Sequence, residues 1–487
     1  MKRRIQFIIC SFIITTSIVA QSTNKISKKD PLQAKDKQAL EKLEAAKFLQ
    51  DYPMRFTESN GTIKELYGLT SKGQILFNKT DNLGAAKTIS TNLVWPSGGS
   101  GFSLSGSGLT NRLGIWDGGA VRTTHQELSG RVTQIDGASN IVDHATHVSG
   151  TMIGAGVSAN AKGGAYQATL KAYEWNSDNS EMTSAAAAGM LVSNHSYGTI
   201  TGWEYNSSLN RYEWWGDADV STVEDYKFGF YDDKAQSWDQ IAYSYPNYLI
   251  FKSAGNDRGE APSGSALKYI RDQSGTWVQT TLTIAADGPY DCVSLYSTAK
   301  NILTVGAVGK LSNGYTTASA VSMSSFSGWG PTDDGRIKPD VVACGLSVYS
   351  AISTSNTAYD TYQGTSMAAP NASGSALLLQ QHFNNLKGKF MKSASLKGLI
   401  IHTADEAGTS TGPDYRFGWG LMNTNKAAQH ISDSNKNMIV EASLANLGTY
   451  NYTIVSDGIA PLKVTVCWTD IPGTPTTDQL DPQIKCW

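Results

Sequence analysis

The chain has 487 residues, of which 40% are hydrophobic and 17% are charged, and its formal net charge is -2. This length predicts two or three structural units. The 47 glycines are typical of a loop-rich globular protein, and the composition argues against a coiled coil or a disordered chain. Because no strongly basic field is present, nucleic acid is not expected as a partner.

The N-terminus has the pattern of an export signal. Lys2-Arg3-Arg4 forms a basic start, residues 5–19 are largely apolar, and Ala20 is a small residue suited to cleavage. A short membrane anchor is the alternative, but a spanning helix needs about 20 apolar residues. We therefore predict a signal peptide over residues 1–20, a secreted or extracytoplasmic location, and no stable membrane insertion.

A charged segment of different composition follows over residues 21–83. Leu40, Leu43 and Ala46 recur at helical spacing, which predicts a helix. Ile75-Leu76-Phe77 lies after turn residues and predicts a short strand. We interpret this segment as an N-terminal extension or a pro-segment.

From residue 84 to about residue 430, short apolar runs alternate with Ala-rich helical stretches. The predicted strands include Leu113–Trp116, Tyr248–Phe251 and Ile302–Val305, and the predicted helices include Ser184–Val192 and Ala372–His382. Buried strands that alternate with helices predict an α/β unit with a mainly parallel sheet. Active sites in such sheets lie at the carboxyl ends of the strands.

Two further regions depart from this pattern. Residues 199–246 are dense in Trp and Tyr, which predicts a long insertion beside the active face and, more simply, a self-packed aromatic cluster rather than a ligand site. Residues 431–487 predict the start of an incomplete all-β sandwich, since about seven strands are usual for that architecture. Its predicted strands are Ile439–Ala442, Asn451–Val455 and Leu462–Trp468.

The cysteines give little evidence for a metal site. Cys10, Cys292, Cys344, Cys467 and Cys486 are scattered and lack the close spacing of metal-binding pairs. Disulfides are compatible with an exported protein, but their pairing does not follow from the sequence. We predict no required cofactor.

The strongest local signal is the octet Gln363-Gly364-Thr365-Ser366-Met367-Ala368-Ala369-Pro370, which precedes an Ala- and Leu-rich helix. Ser366 would lie at the helix N-terminus, where free N–H groups and the helix dipole favour negative charge. Alone, such a serine is most simply an N-cap. As a nucleophile it needs a base, because a serine hydroxyl is weakly reactive.

Three other segments supply the partners that Ser366 would need. His144 is the candidate base; a metal pair with His147 lacks a matching third ligand, so His147 is expected to be a buried core residue. Asp117 ends a predicted strand and can orient the histidine, although a turn aspartate is the alternative. Asn256 follows another buried strand and can donate to an oxyanion, the alternative again being a turn residue.

In this order, the segments of Asp117, His144, Asn256 and Ser366 resemble those of the subtilisin-like serine peptidases, the subtilases. The octet is similar to the nucleophile motif of the family, and residues 144–151 resemble its histidine motif, with Ala145 where glycine is usual. The resemblance implies a three-layer α/β fold. It also implies a secreted serine endopeptidase with an Asp117-His144-Ser366 triad. The Asn256 amide and the Ser366 backbone N–H would form the oxyanion hole.

The same resemblance implies where a protein or peptide substrate lies. Ser196, Tyr197 and Gly198 would pair with one edge of an extended substrate, and Ala254 and Gly255 would lie along the other. Subtilases often bind structural calcium, but the sequence assigns no loop to it.

Two other functions fit the sequence less well. A binding module that had lost catalysis would lack a triad member or the oxyanion donor, and all four residues are present. An esterase or lipase would carry Gly-x-Ser-x-Gly in the order Ser, Asp, His, whereas Ser366 follows Thr365 and comes last.

Overall fold

The computed structural model describes residues 55–57, 63–69, 75–80, 86–433, 438–455, 458–459 and 461–475. The predicted signal peptide and the predicted helix around Leu43 lie outside the described residues. Within those ranges, none of the helices combines the length and the apolarity that a membrane span requires.

The elements of the described ranges are numbered here in chain order. The strands are β1 (Arg55–Thr57), β2 (Ile63–Leu69), β3 (Ile75–Thr80), β4 (Leu113–Asp117), β5 (Val132–Gln134), β6 (Leu170–Glu174), β7 (Val192–His195), β8 (Tyr197–Thr199), β9 (Trp203–Asn206), β10 (Arg211–Trp214), β11 (Leu249–Ser253), β12 (Leu267–Arg271), β13 (Trp277–Gln279), β14 (Leu303–Val308), β15 (Val341–Cys344), β16 (Val348–Ala351) and β17 (Tyr359–Tyr362). The helices are α1 (Thr91–Val94), α2 (Asp143–Ile153), α3 (Asp178–Ala187), α4 (Asp233–Ser244), α5 (Thr365–Lys387), α6 (Ser393–Thr403) and α7 (Thr424–Ser432).

A seven-stranded sheet forms the centre of the fold, in the order β15-β14-β11-β7-β4-β6-β5. Every pairing in it is parallel. Its inner strands are buried on both faces, which explains why they are continuous apolar runs in the sequence. The predicted α/β class with a mainly parallel sheet is confirmed, and three of the predicted strands correspond to β4, β11 and β14.

Helices cover both faces of this sheet, because successive side chains of a strand point to opposite sides. On β11, Leu249 and Phe251 belong to the core that contains α2 and α5, whereas Ile250 belongs to a second core with α3 and α4. The fold therefore has the three layers that the family resemblance implied.

The two helices on the first face approach each other closely. A Cβ atom added at Gly374 of α5 would lie 2.8 Å from the carbonyl oxygen of Met152 in α2. Helix α5 contains the predicted helix of residues 372–382 but begins earlier, at Thr365. Since α2 and α5 carry the candidate base and nucleophile, their close packing fixes the distance between the two.

The helix predicted over residues 184–192 is displaced in the structure. Helix α3 begins at Asp178 and ends at Ala187, and Val192 already belongs to β7. Gly189 has a φ of 90°, which favours glycine and ends the helix. The alanine-rich composition identified the helix, but this glycine sets its C-terminal end.

The aromatic insertion packs partly on itself and partly on the central sheet, so the self-packed cluster of the simpler interpretation accounts for only part of it. Strands β9, β10, β12 and β13 form a four-stranded sheet, on which the rings of Trp203 and Trp214 lie 5.3 Å apart. From α4, Trp238 stacks on Tyr296 at 5.2 Å. The insertion is therefore part of the folded body.

The N-terminal strands form a sheet with β8, which contains two of the residues that are expected to bind substrate. Strands β1, β2, β3 and β8 form a second four-stranded sheet, and β3 confirms the strand predicted at residues 75–77. Strand β3 runs antiparallel to β8, with Lys79 opposite Gly198 and Thr80 opposite Tyr197. The edge expected to bind substrate is thus paired with another segment of the same chain.

The strands predicted after residue 431 are wrong for the described residues. No strand is present in residues 438–455 or 461–475, so Ile439–Ala442, Asn451–Val455 and Leu462–Trp468 do not form the start of a sandwich there. A strand needs a ladder partner. This tail instead contacts the α/β unit through side chains, as in the 2.9 Å hydrogen bond between Thr465 and His402.

Three of the cysteines lie in the described ranges. Cys292 and Cys344 are buried, Cys467 is partly buried, and all three are free thiols. No disulfide links these three residues.

Candidate active site

The site lies where the strand order of the central sheet reverses. From β4 the chain builds β6 and β5 on one side and β7, β11, β14 and β15 on the other. A crevice opens at the carboxyl ends of the two strands that flank such a reversal. Asp117 is the last residue of β4, and Ser196 directly follows β7.

Asp117 and His144 form a buried pair in this crevice. His144 is the second residue of α2, and the two side chains are only 1% and 2% exposed, respectively. The Nδ1 atom of His144 lies 2.7 and 2.9 Å from the two carboxylate oxygens of Asp117. A hydrogen on Nδ1 therefore bonds to the carboxylate, which leaves the lone pair on Nε2.

Ser366 is the second residue of α5 and is fully buried. The preceding turn requires glycine, because Gly364 has a φ of 149°. The Ser366 hydroxyl donates to the carbonyl oxygen of Ser196 at 3.0 Å, and the Ser196 hydroxyl donates to the carbonyl oxygen of Ser366 at 2.6 Å. Two reciprocal hydrogen bonds therefore connect Ser366 to Ser196, which belongs to the segment that is expected to bind substrate.

Pro370 explains the second of these hydrogen bonds. In a regular α-helix the N–H of residue 370 would donate to the carbonyl of Ser366, but proline has no N–H. The freed carbonyl is buried and needs another donor. Ser196 supplies it, so Pro370 and Ser196 together connect β7 to the first turn of α5.

Replacing Ser196 by alanine is expected to destabilise the fold by about 1–3 kcal/mol, because the buried carbonyl of Ser366 would lose its donor. Urea unfolding in a Ser366→Ala background, which prevents self-digestion, measures the loss. Ser355→Ala is the control, since its hydroxyl bonds only within an exposed turn. Equal losses for the two variants would show that the contact contributes nothing specific.

Asn256 is fixed by the residue that precedes the nucleophile. Its Oδ1 accepts hydrogen bonds from the backbone N–H of Thr365 at 2.8 Å and from the Thr365 hydroxyl at 2.9 Å. The Nδ2 amide is therefore the end of the side chain that can donate to a ligand. Sequence reasoning missed Thr365, whose only signal was its place beside Ser366.

Two of the predicted substrate-binding residues, Gly198 and Gly255, lie close against Ser294. A Cβ atom added at Gly198 or at Gly255 would lie 3.3 Å from the Ser294 hydroxyl oxygen in each case. The Ser294 N–H also donates to the carbonyl of Ala254 at 3.1 Å. Ser294 was not identified from the sequence, since nothing in its own segment marks it.

His147 is a buried core residue, as expected. Its ring stacks on Tyr362 with centroids 4.8 Å apart. Burial, together with the neighbouring His144, lowers the pKa of His147 to about 3. The ring is neutral near pH 7, and its closed surroundings separate it from the chemistry of His144.

The structure pairs His144 with Asp117 and holds Asn256 against Thr365, the neighbour of Ser366; these are the residue types that a serine hydrolase site uses. The subtilase family model, Peptidase_S8, matches residues 101–420, and the chain belongs to this family.

Several known proteins are similar to this chain. The serine protease/ABC transporter B family protein tagA of Dictyostelium discoideum is 23% identical over 454 residues, covering 75% of this chain and 25% of that protein. The C5a peptidase of Streptococcus pyogenes serotype M3 is 39% identical over 93 residues, which is 19% of this chain and 8% of that one. The chain thus spans a quarter of the first relative and less of the second.

The solved structures to which the chain is similar include two proteases. Fervidolysin from Fervidobacterium pennivorans, a keratinolytic enzyme related to subtilisin, aligns with a TM-score of 0.45 and 21% identity, over 70% of this chain and 45% of that one. The self-cleaved protease domain of PatA aligns with a TM-score of 0.45 and 19% identity, over 68% of this chain and 99% of that one.

Proposed function

We propose that the chain is a secreted endopeptidase that cleaves peptide bonds in proteins through Asp117, His144 and Ser366. The observation that carries this proposal is the buried contact of His144 Nδ1 with both carboxylate oxygens of Asp117, at the same crevice as Ser366. Family membership supports peptide hydrolysis, and the contact supports the roles of these residues.

The reaction begins when the Ser366 hydroxyl turns from the Ser196 carbonyl and gives its proton to His144 Nε2. Its oxygen attacks the scissile carbonyl, while Asp117 stabilises the imidazolium that forms. His144 then protonates the leaving amine, and water attacks the acyl-enzyme with His144 again as base. The rate falls in acid, because a protonated His144 cannot accept the serine proton.

An extended substrate would bind between two edges of the crevice. Its backbone would pair with the segment of Ser196, Tyr197 and Gly198 on one side and with Ala254 and Gly255 on the other. The developing oxyanion would accept from the Asn256 amide and from the Ser366 N–H.

The test of this proposal is labelling by a serine-directed phosphonate followed by peptide mapping. One equivalent of phosphonate is expected on Ser366, and the rate of casein cleavage is expected to fall in proportion to the labelled fraction. Labelling of a different serine, or casein cleavage that continues after full labelling of Ser366, would overturn the assignment.

Replacing Asn256 by aspartate is expected to lower kcat by about 10²–10³-fold with little change in stability. The aspartate keeps the acceptor for Thr365 but puts an oxygen where the amide would donate. Asn356→Asp is a matched control, because this exposed asparagine also accepts two hydrogen bonds through Oδ1. A kcat loss shared by both variants, measured with a peptide amide, would exclude an oxyanion role for Asn256.

We further propose that residues 21–83 act as a pro-segment. In the full chain β3 pairs with β8, at the edge where substrate would pair. A segment that occupied this edge for nine-tenths of the time would raise the apparent KM about tenfold. Export by residues 1–20 fits this role and rests on the basic and apolar pattern of the N-terminus.

Removing the pro-segment is therefore expected to raise kcat/KM about tenfold or more. The measurement is the cleavage of a peptide amide by the full chain that retains Ser366, before and after the chain is cut near residue 83. Adding a synthetic peptide of residues 55–83 is expected to reverse the gain, while a scrambled peptide of the same composition does not. If processing left kcat/KM unchanged, residues 21–83 would be an extension without inhibitory function.

A further inference from the structure

Asn194 is a buried polar residue at the centre of the main sheet. It lies in β7, opposite Phe251 of β11 on one side and Ile115 of β4 on the other. Its side chain is fully buried, although asparagine is depleted in strands. A buried amide costs free energy unless its polar atoms are hydrogen-bonded. The partners of Asn194 therefore indicate why an asparagine lies there.

In the part of the chain that the structure describes, the side chain of Asn194 bonds to two serine hydroxyls. Its amide nitrogen, Nδ2, lies 2.8 Å from the hydroxyl oxygen of Ser196. Its Oδ1 accepts from the hydroxyl of Ser373, which belongs to α5, at 3.3 Å. Successive side chains of an extended segment alternate in direction, so Asn194 and Ser196 point to the same face of the sheet. Asn194 thus contacts both the segment that is expected to bind substrate and the helix that carries Ser366.

The direction of the hydrogen bond between Asn194 and Ser196 follows from the number of hydrogens. The Ser196 hydroxyl has a single hydrogen, which it donates to the carbonyl oxygen of Ser366 at 2.6 Å. That carbonyl has no helical donor, because residue 370 is proline. The contact between Asn194 and the Ser196 oxygen therefore uses a hydrogen of the amide. By donating to this oxygen, Asn194 holds the Ser196 hydroxyl in the orientation that directs its own hydrogen to Ser366.

We propose that Asn194 is a positioning residue for Ser366 and acts through Ser196. The carbonyl that Ser196 holds lies in the first turn of α5, in the same residue as the hydroxyl and the N–H that take part in the proposed reaction. Fixing this carbonyl therefore limits the movement of both groups. The inference rests on the proposed function, since it assigns Asn194 a role in the reaction of Ser366.

The neighbouring side chains of β7 point away from α5. The Ser193 hydroxyl accepts from Tyr248 at 2.6 Å and lies 2.9 Å from Nε2 of His195. The His195 ring in turn stacks on Trp116, with centroids 5.1 Å apart. Ser193 is as deeply buried as Asn194, but these contacts lead to the second core. Ser193→Ala is therefore a control for the loss of a buried polar group in the same strand.

Asn194→Ala is expected to lower kcat for a peptide amide about tenfold, with little change in KM. A misplacement of about 1 Å can cost about 10²-fold in rate, and losing this one donor permits a smaller displacement of Ser366. The edges that would bind substrate keep their backbone, which explains the unchanged KM. Ser193→Ala is expected to retain near-native kcat at equal folded concentration. If both variants lost the same fraction of kcat, a general loss of stability would explain the effect and the proposal would be overturned.

A double-mutant cycle tests whether Asn194 acts through Ser196. Ser196→Ala is expected to lower kcat by about tenfold, and the double variant Asn194→Ala/Ser196→Ala is expected to lose no more than Ser196→Ala alone. Independent effects would multiply to a loss of about 100-fold. Multiplied losses would overturn the proposal, because Asn194 would then influence the reaction by another route.

The same cycle is measured by urea unfolding in a Ser366→Ala background, where catalysis does not enter. The double variant is expected to lose less unfolding free energy than the sum of the two single variants, since they share one chain of hydrogen bonds. Additive losses would exclude the connection between Asn194 and Ser196, whether or not the chain is a peptidase. A native chain that takes no phosphonate label on Ser366 would instead overturn the proposed function.

Discussion

Replacing Ser366 by alanine is expected to lower kcat for a peptide amide by about 10⁶-fold. In the proposed mechanism this hydroxyl forms the acyl-enzyme, so its removal eliminates the covalent step. Since Ser366 is buried at the start of α5 and alanine is smaller, the fold should persist. Substrate binding should change little, because the edges that bind it are intact.

Ser373→Ala is the matched control for this variant. Ser373 is a buried serine of the same helix, and its hydroxyl makes only long contacts of 3.3 and 3.4 Å. It should retain normal kcat and phosphonate labelling. If Ser366→Ala cleaved casein as fast as the native chain at equal folded concentration, Ser366 would not be the nucleophile.

Asp117→Asn is expected to lower kcat by about 10⁴-fold near neutral pH. The asparagine keeps the size of the side chain, and its oxygen can still accept from the N–H of Gly118. Its amide, however, would donate to Nδ1 of His144, which forces the ring hydrogen onto Nε2. His144 could then no longer accept the proton of Ser366, although every atom of the site remained close to its place.

Asp143→Asn is the control for this change. Asp143 precedes His144 on α2, and its Oδ1 accepts from the N–H and hydroxyl of Ser353, which an amide oxygen can also do. A discontinuous assay with a peptide amide should show a near-native kcat for Asp143→Asn. If both variants lost a similar amount of kcat, the cause would be the removal of a negative charge near α2, and the tautomer of His144 would not explain the loss.

The sequence predicted the parts of the molecule that have local signals. Strand β4 is a continuous apolar run that ends at Asp117, and α5 follows a glycine turn. The hydrophobic pattern and the turn residues were therefore enough to locate both elements. His144 could be separated from His147 only through the family motif. The structure gives the physical distinction, since His144 contacts Asp117 and His147 is enclosed beside Tyr362.

Features that depend on distant segments could not be predicted in this way. Ser196 and Ser366 exchange hydrogen bonds although they are 170 residues apart. Ser294 lies beside Gly198 and Gly255 only because three segments meet there. The prediction of strands after residue 431 was wrong for a related reason. Alternating apolar residues are typical of a strand, but a strand also needs a partner with which to form backbone hydrogen bonds.

The pairing of β3 with β8 has a further consequence for how the proposed inhibition would depend on protein concentration. A competitor tethered to the same chain acts at an effective concentration in the millimolar range for a short flexible connection, however dilute the protein is. Dilution therefore cannot relieve the inhibition of the full chain, whereas cutting the connection can. The degree of inhibition would be the same at every protein concentration until the connection is cut.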